Sequence, residues 1–181
     1  RLYPHELSGG MARRVLLCCA LMDAPKLIIA DEPTTALDVT TQAQVMELLL
    51  SLVEKMHTSL IVVTHNLGLV TRYADRIYVM YAGRVVESGT TEDLLMHPRH
   101  PYTIGLLKSV PKLDGDKDGD LVPIQGAPPN LAKLPEGCAF RPRCPYACER
   151  CGEGGAPALR PVGEHEHMAA CHLDMEVNDL G

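Results

Sequence analysis

Two short apolar runs with no polar alternation bracket one long amphipathic stretch, and this arrangement limits the fold more than any other feature. The runs are residues 26–30 and 60–64. A strand with one wet face alternates apolar and polar residues. An unbroken run suits a strand covered on both faces in a parallel sheet. Between them, residues 40–57 carry Val45, Leu48, Leu49, Leu52 and Val53 at helical spacing. Parallel neighbours need a crossover of this kind.

Further elements are expected around this unit. Ser8 is a good N-cap for a helix reaching about Asp23, and residues 66–73 read as helical. Residues 77–81 and 84–87 pair as a hairpin around Ala82-Gly83, and residues 91–97 form a short helix. This succession predicts an α/β fold with a parallel core.

The formal net charge of -6 argues against a nucleic-acid partner, which needs a basic face. No apolar run approaches the roughly 18 residues of a membrane span, since residues 15–22 are bounded by Arg14 and Asp23. The opening Arg1-Leu2-Tyr3-Pro4 has no signal-peptide pattern and no Met, which fits a piece of something longer. Composition divides the 181 residues into an apolar α/β unit (1–110), a linker rich in Pro, Gly and Asp (111–135), and a Cys-rich extension (136–181). Asp114-Gly115-Asp116-Lys117-Asp118-Gly119-Asp120 and the prolines after it bury too little apolar surface to order themselves.

Three motifs carry chemistry. In Leu7-Ser8-Gly9-Gly10-Met11 the glycines remove side chains where backbone approaches a ligand, and the following helix offers N–H groups to an anion. The plainer reading is a capped helix after a turn. In Leu27-Ile28-Ile29-Ala30-Asp31-Glu32-Pro33 two carboxylates end a buried strand, where open α/β sheets bind ligands. Asp31 suits Mg²⁺ and Glu32 suits activation of a water. The plainer reading is a solvated strand end stopped by Pro33. His65 ends the second apolar run, so it falls at the same sheet end as Glu32, although a lone His is more often structural.

The Gly-Gly helix start, the Asp-Glu strand end, Ala36-Leu37-Asp38 and the strand-end His follow one order within about 60 residues. This closely resembles the ATP-binding subunits of ABC transporters. Residues 7–11 look like the signature motif, 27–32 the Walker B strand, 36–38 the D-loop and His65 the switch histidine. The resemblance implies part of a P-loop ATPase parallel sheet with flanking helices. It also implies a head-to-tail pair of ATPase subunits, homo- or heterodimeric. Ser8, Gly9 and Gly10 then serve the partner's ATP. Asp31 (with Mg²⁺), Glu32 and His65 serve ATP on their own chain, and Asp38 shapes the seam. No G-x-x-x-x-G-K-[ST] phosphate loop occurs in the 181 residues, so no ATPase activity is expected of this chain alone.

His97-Pro98-Arg99-His100-Pro101-Tyr102-Thr103, Ile124-Gln125-Gly126-Ala127-Pro128-Pro129 and Gly137-Cys138-Ala139-Phe140-Arg141-Pro142-Arg143-Cys144 are similar to the C-terminal extension of oligopeptide/dipeptide importers. That resemblance implies a peptide cargo, or nickel in related importers. It implies transmembrane permease subunits, a separate peptide-binding protein and a place at the cytoplasmic face of the membrane. Cys138, Cys144, Cys151 and Cys171 are the expected metal ligands, with Cys148 an extra. Four thiolates suit a [4Fe–4S] cluster or tetrahedral Zn²⁺. Resemblance favours the cluster, and free cysteines packing without metal are the plainer reading. His165, His167 and His172 are expected to be solvated, with substitution of any one as a zinc ligand the alternative. Two rival functions are a DNA-repair or chromosome-organising ATPase, which needs coiled-coil heptads and a basic surface absent here, and a non-catalytic module whose cysteine tail senses metal or redox state.

Overall fold

The computed structural model describes residues 3–109 and 123–173. The acidic centre of the expected linker and residues 174–181 of the expected extension lie outside them. The chain divides into two compact units, residues 1–66 and 67–181.

In the first unit, α1 (Gly9–Leu21) leads to β1 (Leu27–Asp31), then α2 (Val39–Lys55), then β2 (Ser59–Val63). The two strands pair in parallel, Leu27 opposite Ser59 through Asp31 opposite Val63. The long helix between them is the crossover that its 3.6-residue periodicity predicts. Leu21, Ile28, Leu49 and Val53 are buried together, with Leu17, Leu52, Met56 and Leu60 packed around them. Both helices begin at a side-chain cap. Ser8 accepts from the Met11 N–H, and Asp38 from the Thr41 N–H at 2.9 Å.

The unbroken apolar runs predict strands covered on both faces, and here the structure differs. Ile28 is buried, but Leu27, Ile29, Ile61 and Val63 are exposed. The buried core of this unit, built with side chains of α1 and α2, covers one face of the two-stranded sheet.

In the second unit, α3 (Leu67–Tyr73) precedes the antiparallel hairpin of β3 (Arg76–Tyr81) and β4 (Arg84–Thr90). Helices α4 (Thr91–Met96) and α5 (Pro101–Lys108) follow. A capping box of Thr90 and Asp93 starts α4. The sequence reading did not foresee α5. His100 caps it, its Nδ1 accepting from the Tyr102 N–H at 3.1 Å, and Pro101 fills a first-turn position where a missing N–H costs nothing.

Residues 123–173 are tied back onto this unit. Short strands β5 (Arg160–Pro161) and β6 (Met168–Ala169) extend the sheet to the order β3-β4-β6-β5. Phe140, 2% exposed, packs edge-on against Tyr81 and beside Tyr102 and His100. The Arg143 guanidinium donates to the carbonyls of Ile124 and Gln125. Residues 124 and 125, expected to stay unordered, are thus held by a side chain from beyond the linker.

The anchor of this unit is Glu87 on β4, with no exposed surface. Its carboxylate accepts from the N–H groups of Arg99 at 2.6 Å and His100 at 3.0 Å, and its Oε1 pairs with His167 Nε2 at 2.9 Å. His167 is 1% exposed, which corrects the expectation of a solvated side chain. Its partner Glu87 lies 80 residues away in sequence.

His100 makes this unit acid-sensitive. Burial lowers its pKa to about 4 against the opposing pull of Glu87. The unfolded imidazole titrates near its ordinary 6.5. Between these values the unfolded chain takes up a proton that the fold refuses, so stability falls as pH drops from about 6.5 to about 4. The separation corresponds to about 3 kcal/mol. We expect the urea midpoint to fall over this range. His100→Asn, which keeps a capping side chain, should flatten most of that fall.

Candidate functional site

The site lies at the C-terminal tips of β1 and β2. Asp31 is the last residue of β1 and is exposed. Glu32 follows with φ +44, a left-handed conformation uncommon for a side-chain-bearing residue. Its N–H still donates to Val63 O at 2.8 Å, so the turn begins on the last rung of the ladder. The carboxylate reaches across to the tip of β2. There Oε1 meets His65 Nδ1 at 2.6 Å and accepts from the His65 backbone N–H at 3.2 Å. Oε2 accepts from Thr35 Oγ1 at 3.0 Å. The hydrogen bond from the His65 side chain holds the Glu32 carboxyl below its usual range, against some desolvation. Glu32 is therefore an ionised acceptor at neutral pH, and His65, 84% exposed at its side chain, remains open to solvent.

The start of α1 lies in the same unit. Arg13 donates to the Glu32 carbonyl at 3.5 Å. A Cβ on Gly9 would stand 3.3 Å from Leu37, and one on Gly10 3.1 Å from Thr41. These glycines therefore also let the first turn of α1 lie close to residues 37–41, a packing role that the sequence reading did not assign. Asp38 caps α2, and the hydrogen bonds from Thr41 lower its pKa. Thus the structure joins Glu32 to His65 directly. It sets Ser8, Gly9, Gly10 and Asp38 at two helix starts, and leaves Asp31 exposed at the strand tip.

The cysteines of the extension gather in one place. Cys138, Cys144, Cys151 and Cys171 do line one small cavity, with His100, Phe140 and His172. Burial, and then the neighbouring thiols, push Cys144 up to about 11, and burial also raises Cys151 and Cys171. The donor set is right in kind for a [4Fe–4S] cluster or Zn²⁺. Yet among the described residues no group of three or more His, Cys, Asp or Glu is placed to hold a metal ion. Two of the sulfurs have local partners instead. Cys151 Sγ lies 3.6 Å from Cys148 Sγ, and Cys171 Sγ accepts from the Leu173 N–H. Cys148-Glu149-Arg150-Cys151 is a C-x2-C pair.

Residues 1–35 match the ABC transporter family, and residues 86–151 match the family described as oligopeptide/dipeptide transporter, C-terminal region. The oligopeptide transport ATP-binding protein OppD of Haemophilus influenzae is 51% identical over 179 residues, 99% of this chain and 54% of that protein. The oligopeptide transport ATP-binding protein AppD of Bacillus subtilis is 56% identical over 149 residues, 82% of this chain and 45% of that protein. A solved ATP-binding cassette of an ABC transporter, in its ADP conformation, aligns at TM-score 0.48 and 28% identity over 56% of this chain and 40% of that one. The chain belongs to the ATP-binding proteins of ABC transporters, in the oligopeptide/dipeptide group. It spans about half the length of the curated relatives it matches. Among the described residues no helix is long and apolar enough to cross a membrane.

Proposed function

We propose that this chain is the part of an ATP-hydrolysing subunit that carries the catalytic carboxylate and the partner-facing signature helix, in an importer of oligopeptides or dipeptides. The 2.6 Å contact between Glu32 and His65 supports this reading best, because it brings a base and an imidazole together at neighbouring strand tips. The exposed carboxylate of Asp31 and the half-buried one of Glu32 fit Mg²⁺ in kind, as hard oxygen donors. Bound Mg²⁺–ATP supplies a terminal phosphate whose charge is partly neutralised.

The chain's own residues do the rest. Asp31 would hold Mg²⁺. Glu32 takes a proton from the attacking water, and His65 donates to the terminal phosphate. While His65 grips Glu32, it lowers the carboxylate's basicity, and turning the imidazole to the phosphate frees Glu32 to act as the base. Ser8, Gly9 and Gly10 close on ATP held by a second ATP-binding subunit, identical or not, and Asp38 shapes the seam between them. Permease subunits, a separate peptide-binding protein and a place at the cytoplasmic membrane face complete this reading. The chain by itself does not turn over ATP.

The test is ATP hydrolysis by this chain alone and mixed with an intact ATP-binding subunit. No turnover alone, and stimulation in the mixture, are expected. Ser8→Asp keeps a helix cap but sets a negative charge against phosphate, so it should remove the stimulation by about 100-fold or more. Stimulation that survives Ser8→Asp would refute the role of the signature helix.

A further inference from the structure

The loop between Glu32 and α2 is held by one side chain of that helix. Gln42 Nε2 donates to the Thr34 carbonyl at 3.2 Å and to the Leu37 carbonyl at 3.0 Å. Both neighbours are acceptors, so the amide nitrogen and not its oxygen faces the loop. The Gln42 backbone N–H donates to Asp38 O at 2.8 Å. A single residue thus binds the carbonyls of residues 34, 37 and 38. Among them Ala36 stands at φ +63, a left-handed conformation that a side-chain-bearing residue keeps where its surroundings enforce it. The two ends of the loop reach different places. At its start the Thr35 N–H donates to Glu32 O at 3.2 Å, and Thr35 Oγ1 donates to Glu32 Oε2 at 3.0 Å. At its end Leu37 lies against Gly9, and Thr41, next to Gln42, lies against Gly10.

We propose that Gln42 is a positioning residue that couples the chain's own Glu32 to the signature helix it offers a partner. The inference rests on the ATPase reading of those two places. Gln42 acts through the loop. Its amide fixes the loop's course, which sets Thr35 against the Glu32 carboxylate at one end and Leu37 against the start of α1 at the other. Without the two amide donors, Thr34 O keeps the Leu37 N–H at 3.3 Å, so the turn survives. The Leu37 carbonyl loses its side-chain partner, and the far end of the loop loosens. Glu32 and the signature helix then lose placement together. Misplacement of groups that act in the transition state lowers kcat and leaves KM nearly unchanged. The residue type matters. Met fills the same space and offers no donor, Glu keeps the shape but turns acceptors towards acceptors, and Lys reaches the carbonyls with N–H donors.

The experiment compares Gln42→Met, Gln42→Glu and Gln42→Lys in two assays. The first is ATP turnover by a subunit that joins this segment to a phosphate-binding loop. The second is stimulation of an intact ATP-binding subunit by this chain. Gln42→Met and Gln42→Glu are expected to lower kcat about 10-fold in the first assay, with KM within about threefold, and to lower stimulation by a similar factor in the second. Gln42→Lys is expected to keep at least about a third of the parent rate in both. A folded donor-less variant within about twofold of the parent in either assay would overturn the coupling. So would a Gln42→Lys rate as low as that of Gln42→Met, since the donors would then not matter. Glu32→Gln in the first assay and Ser8→Asp in the second separate this result from the reading beneath it. If either control keeps its full rate, the ATPase reading fails and the coupling with it. If both controls lose theirs while Gln42→Met does not, the coupling alone fails.

Discussion

Replacing Glu32 by Gln, in a subunit that joins this segment to a phosphate-binding loop, lowers ATP turnover about 100- to 10,000-fold and leaves nucleotide binding within a few-fold. The amide keeps the shape of the side chain and can still meet His65 and Thr35, both of which touch the carboxylate. It cannot take up the water's proton. Ground-state contacts survive and the transition-state one is lost, so kcat and kcat/KM fall together. Steady-state turnover beside equilibrium nucleotide binding checks this. Turnover within about threefold of the parent would remove Glu32 from the chemistry.

Glu87→Leu is expected to destabilise the second unit by about 3–5 kcal/mol, a large share of ordinary domain stability. The carboxylate serves two backbone N–H groups and the His167 ring at once, in a place without solvent. Leu leaves all three donors unpaired. His167→Leu removes one of them and leaves the carboxylate its two backbone donors, so its cost should be the smaller of the two. Urea unfolding of the chain, with the slope held common, ranks the variants. Equal costs, or a Glu87→Leu cost under about 1 kcal/mol, would show that this junction does not hold the unit together.

The parts of this molecule that could be read in advance rest on local pattern. Residues 26–30 and 60–64 gave the parallel pair because an unbroken apolar run around a helical crossover has few other solutions. Glu32 and His65 could be paired because both end such runs, and parallel strands put both ends on one side of the sheet. The Glu87 junction had no such signal. Its partners lie 12, 13 and 80 residues away, and periodicity does not encode contacts at that separation. His100 was missed as a cap because Ser, Thr, Asp and Asn carry that signal. The open face of β1 and β2 has another cause, since an apolar run does not encode which of its two faces a neighbouring element covers.

The most direct measurement is the structure of the Glu32→Gln subunit dimer loaded with Mg²⁺–ATP. The account predicts the terminal phosphate within about 3 Å of the His65 ring of one subunit, facing Ser8 of the other, with residue 32 beside the water in line for attack. A terminal phosphate lying beyond hydrogen-bond reach of the β1 and β2 tips would contradict it.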